Sequence, residues 1–396
     1  MALTLLTATR GAGQSMRAPA DARCFANTFQ ADTRSAIAGY AKIAGIPGVS
    51  FGVVVRDALV IADGVGRANR RTGSRATADT PYNIASVTKL FTATLAMQLV
   101  DDGRLELDAP VARYLPDSVR LPTDTSRTAI TVRHLLTHTA GLPRNPPNRR
   151  NQPVTGALDP GVWDAYNVGD LYQALATTTL RTRPGTAMAY SNYGYALLGH
   201  VVERVAGQPY ERLLRARLLA PLGMTASGIT LTAAQSQRLA AFYWDADDAR
   251  VEQSVHARFG DVAGFIGLTS TVRDLAPFLL AHLGTTPAGR AVIAPAVAQR
   301  MTDAQVQLDS DNRTHRVDMG LGWFREVALD APAATPLLWH YGEIDGHASA
   351  VLLRPREGVG VIVLQNLGGD LAAMATEQIG RWLVQRTVAE VARCRR

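Results

Sequence analysis

Residues 81–89 of this chain read PYNIASVTK, and a run with helical periodicity follows them to Asp102. That periodicity places Ser86 in the first turn of a helix and Lys89 one turn further along the same face. Backbone N–H groups at a helix N-terminus stabilise negative charge, and an amine one turn away can accept a hydroxyl proton or hold a second base ionised. The alternative is a helix-capping serine beside a surface lysine, because S-x-x-K spacing alone is common.

The basic residues of the chain are almost all arginine. Of its 396 residues 41 are basic, and only Lys42 and Lys89 are lysines, so a retained lysine indicates a need for an amine. The net charge of +7 comes from scattered arginines, which favour a solvated surface over nucleic-acid binding. A hydrophobic content of 47% rules out wholesale disorder, and the lack of a run of about 18 apolar residues argues against a transmembrane segment.

Strands are predicted towards both ends of the chain, with helices between them. Runs rich in β-branched residues predict strands at residues 49–55, 320–327, 348–353 and 358–364, and residues 58–61 followed by 64–67 look like one further strand after the first. Helical periodicity predicts helices at residues 24–44, 86–102, 274–283 and 376–393, and a mostly helical middle at 131–224. We therefore predict an α/β fold of the α+β type. Its discontinuous sheet domain would comprise residues 1–85 plus about 265–396, its helical domain about 86–264, and the active site would lie at their interface.

Two further polar motifs could serve a reaction. Tyr190-Ser191-Asn192 opens a helical run, and a phenol beside an ammonium can act as a base, although a turn with Ser191 or Asn192 as helix N-cap is the simpler interpretation. His340-Tyr341-Gly342 opens a polar stretch in which Gly342 would let a substrate approach a strand closely. A backbone N–H at that point could complete an oxyanion hole. Each motif alone is a weak signal.

Two other patterns are set aside on physical grounds. Residues 48–52 match the G-x-S-x-G nucleophile elbow, but a strand rather than a helix follows, so Ser50 is interpreted as a strand residue. His134 and His138 are four residues apart, as zinc ligands on a helix can be. No glutamate follows His134 and no third ligand is evident, so no metal site is predicted.

In this order and spacing, S-x-x-K, Y-x-N and H-x-G resemble the motifs of the class C β-lactamase-like serine hydrolases. That superfamily includes penicillin-binding DD-peptidases, D-aminopeptidases and family VIII carboxylesterases. Four further segments look like family segments: residues 99–116, 135–143, 221–224 and 320–323. The resemblance implies a β-lactamase/DD-peptidase-like fold, in which an antiparallel sheet is flanked by helices and carries an inserted, mostly helical domain. It implies no metal and no organic cofactor.

The resemblance also implies a role for each motif residue. Ser86 would be the acylated nucleophile, with Lys89 and Tyr190 as its base system and Tyr190 kept ionised by Lys89. Asn192 would orient the carbonyl side of the substrate, and the backbone N–H groups of Ser86 and Glu343 would form the oxyanion hole. The proline- and arginine-rich loop at residues 143–160 follows a segment that borders the active site in this family, and is expected to shape the acyl or leaving-group pocket.

The H-x-G motif departs from the family pattern in a way that bears on the substrate. His340 takes the position where β-lactamases and DD-peptidases usually have a lysine that helps to bind a substrate carboxylate. A histidine is largely neutral at pH 7, and Glu343 adds a negative charge where the family usually has a small residue. Both features favour small uncharged esters over anionic β-lactams.

The expected activity is therefore that of a carboxylesterase or acyltransferase on a small-molecule ester or amide. The alternatives are a D-amino-acid peptidase or DD-peptidase, a weak β-lactamase, and a non-catalytic binding protein on the same fold. The oligomeric state is left open.

The family fold bears on the two cysteines as well. Its first and last helices pack antiparallel, which implies a disulfide between Cys24 and Cys394. Such a bridge favours the periplasm or secretion, whereas without it a cytoplasmic location is expected. Residues 1–14 make a poor secretory signal, because no basic residue precedes their short apolar run.

Overall fold

The computed structural model describes residues 25, 27–148, 166–243, 259–308, 314–330, 335–344 and 346–395. Nine strands of this part of the chain form one sheet, in which every neighbouring pair is antiparallel. In order across the sheet they are β3 (Ser74–Arg75), β2 (Ala58–Asn69), β1 (Gly48–Val55), β11 (Val359–Gln365), β10 (His347–Arg354), β9 (Leu337–Ile344), β8 (Phe324–Ala328), β7 (His315–Met319) and β6 (Val306–Gln307). A separate antiparallel pair joins β4 (Tyr82–Asn83) to β5 (Thr269–Ser270).

The helices of the described residues fall before, between and after these strands. In chain order they are α1 (Asn27–Ile43), α2 (Thr88–Asp101), α3 (Val132–Leu136), α4 (Val168–Thr177), α5 (Asn192–Ala206), α6 (Tyr210–Leu214), α7 (Ala233–Arg238), α8 (Val272–Leu283), α9 (Pro287–Val292), α10 (Pro295–Thr302) and α11 (Asp370–Cys394). Three short 3₁₀ segments lie at Ala85–Val87, Val111–Tyr114 and Gly260–Phe265, and a π turn at Arg215–Leu219. No helix among the described residues has both the length and the apolar character needed to cross a bilayer.

The central strands are buried on both faces of the sheet. Side chains alternate along a strand, so Val361 and Val363 join the cluster under α1 and α11, while Ile362 and Leu364 join the cluster on the opposite face, under α8. Burial on both faces explains why β1, β10 and β11 are continuous apolar runs in the sequence. The strand predictions at residues 49–55, 348–353 and 358–364 are confirmed.

Two strand predictions differ from the structure. Residues 320–327 were expected to form one strand, but Gly320–Trp323 is the turn between β7 and β8, where Gly322 has a φ of +98°. In addition, β9 was not predicted as a strand. Polar and small residues interrupt its apolar pattern, because one face packs against α11 and the other faces the 3₁₀ turn at Ala85–Val87.

The observed ends of the helices differ from the predicted ends by a few residues. The helix expected from Ser86 begins at Thr88, after the 3₁₀ turn, and the last helix begins at Asp370 rather than Thr376. Cys394, at the end of α11, is disulfide-bonded. Its expected partner Cys24 lies outside the described residues, so the pairing stays a prediction, as does the division into a sheet domain and a helical domain.

Candidate active site

Ser86 is partly exposed although the residues on both sides of it are buried. The amide N–H of Ala85 donates to Asn83 Oδ1 at 2.7 Å, and Ala85 has a φ of +47°, which a residue with a Cβ rarely adopts. Strained backbone of this kind is common at functional sites. Ser86 is the one partly exposed residue in the fully described stretch 81–90, where every neighbour is buried. The 3₁₀ turn therefore presents the Ser86 hydroxyl to incoming molecules.

Lys89 lies one turn further on, with its side chain fully buried. Its Nζ lies 3.0 Å from Ser86 Oγ, 2.9 Å from Asn192 Oδ1 and 2.9 Å from the carbonyl oxygen of Phe265. The protonated amine can donate to all three oxygens, whereas the neutral amine can donate to Asn192 and Phe265 and accept from the Ser86 hydroxyl. Burial lowers the pKa of Lys89 well below its usual value, and the positive charge of Arg144 lowers it further. The Lys89 amine is therefore poised to accept a proton.

Tyr190 approaches Ser86 from a second chain segment. Burial raises the pKa of Tyr190 to about 12, while a hydrogen bond with Ser86 and the charge of Arg144 act in the opposite direction. Lys89 Nζ lies 4.9 Å from the centroid of the Tyr190 ring. The expectation that Lys89 keeps Tyr190 ionised is not supported, because burial penalises a phenolate more than these contacts stabilise it. These shifts favour a neutral Tyr190 and make Lys89 easier to deprotonate than an ordinary lysine.

Asn192 is the first residue of α5, and Ser191 caps that helix by accepting from the N–H of Gly194 at 2.9 Å. The Asn192 amide is engaged at both ends. Its Oδ1 accepts from Lys89, and its Nδ2 donates to Asn145 Oδ1 at 3.0 Å. Sequence reasoning missed Asn145, which belongs to no motif; its position just after the LTHTAGLP segment was the available signal.

The strand β9 passes directly against the backbone of Ser86. A Cβ at Gly342 would lie 2.4 Å from the carbonyl oxygen of Ile84 and 3.0 Å from the backbone nitrogen of Ser86, so only glycine fits. The next residue, Glu343, is exposed, and its Oε1 accepts from the N–H of Gly369 at the start of α11. Because side chains alternate along a strand, the Glu343 carboxylate lies on the face away from Ser86. The expected negative charge beside Ser86 is therefore absent from that position.

His340 points towards the same face as Gly342 and is buried. Its Nδ1 lies 2.8 Å from the carbonyl oxygen of Tyr341, so Nδ1 carries the proton. Burial, together with a smaller effect of the charge of Lys89, lowers the pKa of His340 to about 3. A pKa lowered in this way favours the neutral histidine at pH 7 that the sequence predicts. Its Nε2 has no hydrogen-bond partner among the described residues.

His134 and His138, which were rejected as metal ligands, accept hydrogen bonds from different backbone N–H groups. His138 Nδ1 accepts from the N–H of Ser191 at 3.1 Å, and its ring lies 4.3 Å from that of Tyr190, so it borders the site. His134 Nδ1 instead accepts from the N–H of Thr131 at the start of α3. Within the described ranges, no group of three His, Cys, Asp or Glu side chains could hold a metal ion.

The other rejected candidate, Ser50, is structural as predicted. It is fully buried in β1, and its hydroxyl donates to the carbonyl oxygen of Thr77 at 2.7 Å. No solvent reaches that hydroxyl, so Ser50 is unavailable to a substrate.

Acid is expected to destabilise the fold through its buried imidazoles. Burial lowers the pKa of His282 to about 4 and that of His340 to about 3, whereas a histidine in the unfolded chain titrates near 6.5. The unfolded state then binds more protons, so the free energy of unfolding falls as the pH drops below about 6.5. For His282 the loss is on the order of 2–3 kcal/mol between pH 7 and 4.

Urea unfolding at pH 7 and 4.5 measures this loss in the wild type and in His282→Gln. The variant should lose less stability on acidification than the wild type. Equal losses in the two proteins would remove His282 from the explanation.

The chain is similar to proteins of known family and fold. The family model described as Beta-lactamase matches residues 33–385. Penicillin-binding protein 4 of Amycolatopsis lactamdurans is 32% identical over 340 residues, which cover 84% of this chain and 84% of that protein. The D-alanyl-D-alanine-carboxypeptidase/endopeptidase AmpH of Escherichia coli K12 is 34% identical over 190 residues, 46% of this chain and 47% of AmpH, so that match spans less than half of either protein.

The fold has close structural neighbours. A beta-lactamase/D-alanine carboxypeptidase from Yersinia pestis, complexed with citrate, superposes with a TM-score of 0.73 at 24% identity, covering 92% of this chain and all of that one. This likeness shows the β-lactamase/DD-peptidase fold that the resemblance implied. The family match over residues 33–385 and the 32% identity to penicillin-binding protein 4 show that the chain belongs to the beta-lactamase family, among the serine hydrolases of the β-lactamase and DD-peptidase superfamily.

Proposed function

We propose that this serine hydrolase forms its acyl-enzyme on Ser86 and acts as a carboxylesterase or acyltransferase on small esters. The observation that carries the proposal is the pairing of a partly exposed hydroxyl with a fully buried amine. Lys89 Nζ lies 3.0 Å from Ser86 Oγ, and burial weakens the hold of that amine on its proton. A serine hydroxyl becomes a strong nucleophile when such a base is within hydrogen-bond reach.

In the first half-reaction, Ser86 Oγ attacks the ester carbonyl and its proton passes to the unprotonated Lys89. Tyr190 is a neutral phenol hydrogen-bonded to Ser86, and it gives its proton to the departing alcohol oxygen. The Lys89 ammonium then restores the Tyr190 proton. Lys89 and Tyr190 remain the base system expected from the sequence, with Lys89 rather than Tyr190 as the first proton acceptor.

The backbone supplies the second part of the proposed chemistry. The N–H groups of Ser86 and Glu343 would stabilise the oxyanion, since β9 at Gly342 lies against the Ser86 backbone. Asn192, fixed by Lys89 and Asn145, would orient the carbonyl side of the substrate. Water or a second alcohol then releases the acyl group through the same base system. Every step uses groups of this chain.

An ester is favoured over an anionic lactam because of His340. The side chain at this position is neutral at pH 7, so it offers no ion pair to a carboxylate. We therefore propose substrates that are small and are uncharged where they face His340.

Trapping of the acyl group tests the proposal. Enzyme quenched early in turnover of 4-nitrophenyl butyrate should carry a butyryl group on the peptide that contains Ser86, detected by mass spectrometry. Ser86→Ala should show neither the adduct nor turnover, with unchanged thermal unfolding as the control for its fold. Acylation of another residue, or turnover that survives in Ser86→Ala, would overturn the assignment.

A second candidate is a peptidase acting on D-amino-acid peptides. Its support is the similarity to penicillin-binding protein 4 and to AmpH, which is described as a D-alanyl-D-alanine-carboxypeptidase/endopeptidase. Release of D-alanine from a peptide that ends in D-alanyl-D-alanine measures it directly. If the wild type releases D-alanine faster than it hydrolyses 4-nitrophenyl butyrate, and Ser86→Ala does neither, the peptidase replaces the esterase as the leading function.

A further inference from the structure

The loop segment that carries Arg144 is fastened to the start of α5. The carbonyl oxygen of Arg144 accepts from the N–H of Asn192 at 2.8 Å and from that of Tyr193 at 3.2 Å. Its neighbours are held as well, because Ser191 Oγ donates to the carbonyl oxygen of Pro143 and Asn192 donates to Asn145. The backbone of Arg144 is therefore fixed beside the same asparagine that binds Lys89.

The Arg144 side chain extends from this anchor over Tyr190. Its guanidinium carbon lies 5.2 Å from the centroid of the Tyr190 ring, and the residue is exposed. Guanidinium groups stack on aromatic faces, stay charged at every accessible pH and bind carboxylates through two parallel N–H donors. Arg144 thus places a permanent cation beside the residue whose hydroxyl contacts Ser86.

The charge of Arg144 also affects the pKa values of the groups around it. The charge of Arg144 acts on Lys89, His138 and Tyr190, and no carboxylate of the described residues contributes to the pKa shifts of those groups or of His340. The carboxylate of Glu343 lies on the other face of β9. Among the described residues, Arg144 is therefore the exposed charged group that acts on Lys89, His138 and Tyr190, while the neighbouring His340 is neutral at pH 7.

We propose that Arg144 binds a carboxylate carried on the acyl part of the substrate, so that the enzyme prefers half-esters of dicarboxylic acids. The leaving group must lie at the hydroxyl end of Tyr190 to receive its proton, whereas Arg144 lies over the ring face and beside the Asn145–Asn192 pair. The part of the substrate that lies near Arg144 is therefore its acyl chain. This inference rests on the proposed esterase function and narrows its substrate class. The preferred substrate is uncharged where it faces His340 and carries a carboxylate where it faces Arg144.

The test compares 4-nitrophenyl hydrogen adipate with its methyl ester, 4-nitrophenyl methyl adipate. The two substrates share a leaving group and differ only in the charge of the acyl end. The wild type should favour the charged substrate in kcat/KM by about fivefold or more, mainly through KM. Arg144→Gln should abolish that preference and Arg144→Lys should keep part of it. The wild-type preference should also shrink as salt is added.

Arg300→Gln is the matched control, because Arg300 is exposed on α10 and the change alters the net charge equally. It should keep the wild-type preference. A wild type that treats the two esters alike, or a preference that survives in Arg144→Gln, would overturn the inference. The role of Ser86 is judged separately by butyrate acylation, so the proposed function can stand while the role of Arg144 falls. If Arg144→Gln does not fold, the salt dependence and Arg144→Lys still decide.

Discussion

Replacing Lys89 by methionine is expected to lower kcat/KM for 4-nitrophenyl butyrate by about 10²–10⁴-fold, the usual effect of removing a general base. Methionine fills a similar apolar volume but donates nothing, so Ser86 Oγ loses its proton acceptor. Asn192 Oδ1 and the carbonyl oxygen of Phe265 lose the donor that holds them 2.9 Å from the amine. Lys89→Arg should be nearly as damaging, because a guanidinium does not give up its proton at neutral pH.

The chain offers a matched control for this substitution. Lys42, the other lysine, is exposed on α1, and Lys42→Met should leave turnover unchanged. Steady-state kinetics and thermal unfolding of the three variants separate lost chemistry from lost stability. Near wild-type turnover by a folded Lys89→Met would make Tyr190 the sole base and reject the proposed order of proton transfer.

A single methyl group at position 342 is expected to reduce turnover by about 10²–10³-fold, comparable to the loss of an oxyanion-hole donor. The added Cβ of Gly342→Ala would lie 2.4 Å from the carbonyl oxygen of Ile84, 2.5 Å from Ser349 Oγ and 3.0 Å from the Ser86 nitrogen. β9 must then move away from the Ser86 backbone and carry the N–H of Glu343 with it. Overpacking of this kind costs about 1–3 kcal/mol in stability.

Gly39→Ala is the contrasting variant. Gly39 lies inside α1 with nothing within 4 Å of an added Cβ, so alanine there should raise stability by roughly 0.5–1 kcal/mol and leave kinetics unchanged. Thermal unfolding and butyrate kinetics of both variants are the measurement. If Gly342→Ala turned over butyrate like the wild type, the assignment of Glu343 N–H to the oxyanion hole would be wrong.

The sequence predicted best where a single chain segment contains the information. Ser86 and Lys89 are one helical turn apart, so their contact follows from local geometry. The apolar strands β1, β10 and β11 were also predictable, because burial on both faces leaves a continuous hydrophobic run. The order and spacing of three motifs then indicated the family.

The sequence predicted least where distant segments meet. Nothing local indicates that the carbonyl oxygen of Phe265 accepts from Lys89, since any residue has such an oxygen. Arg144 belongs to the loop expected to shape the pocket, but nothing in the sequence places its guanidinium against Tyr190. The shifted pKa of Tyr190 runs against the expected phenolate for a related reason. The desolvation that raises its pKa comes from tertiary burial, which the pairing of a phenol with an amine does not reveal.

The three acceptors around Lys89 also bear on how the molecule reaches its active form. These oxygens belong to Ser86, Asn192 and Phe265, which are far apart in sequence. Gly342, which lies against the Ser86 backbone, adds a fourth distant segment of the chain to the site. Contacts of such long sequence separation form only after the intervening loops have closed. A chain that has assembled its helices but not yet docked β9 therefore has the serine and the lysine side by side without a complete site. Recovered turnover thus reports completion of the whole topology, whereas recovered helix content does not.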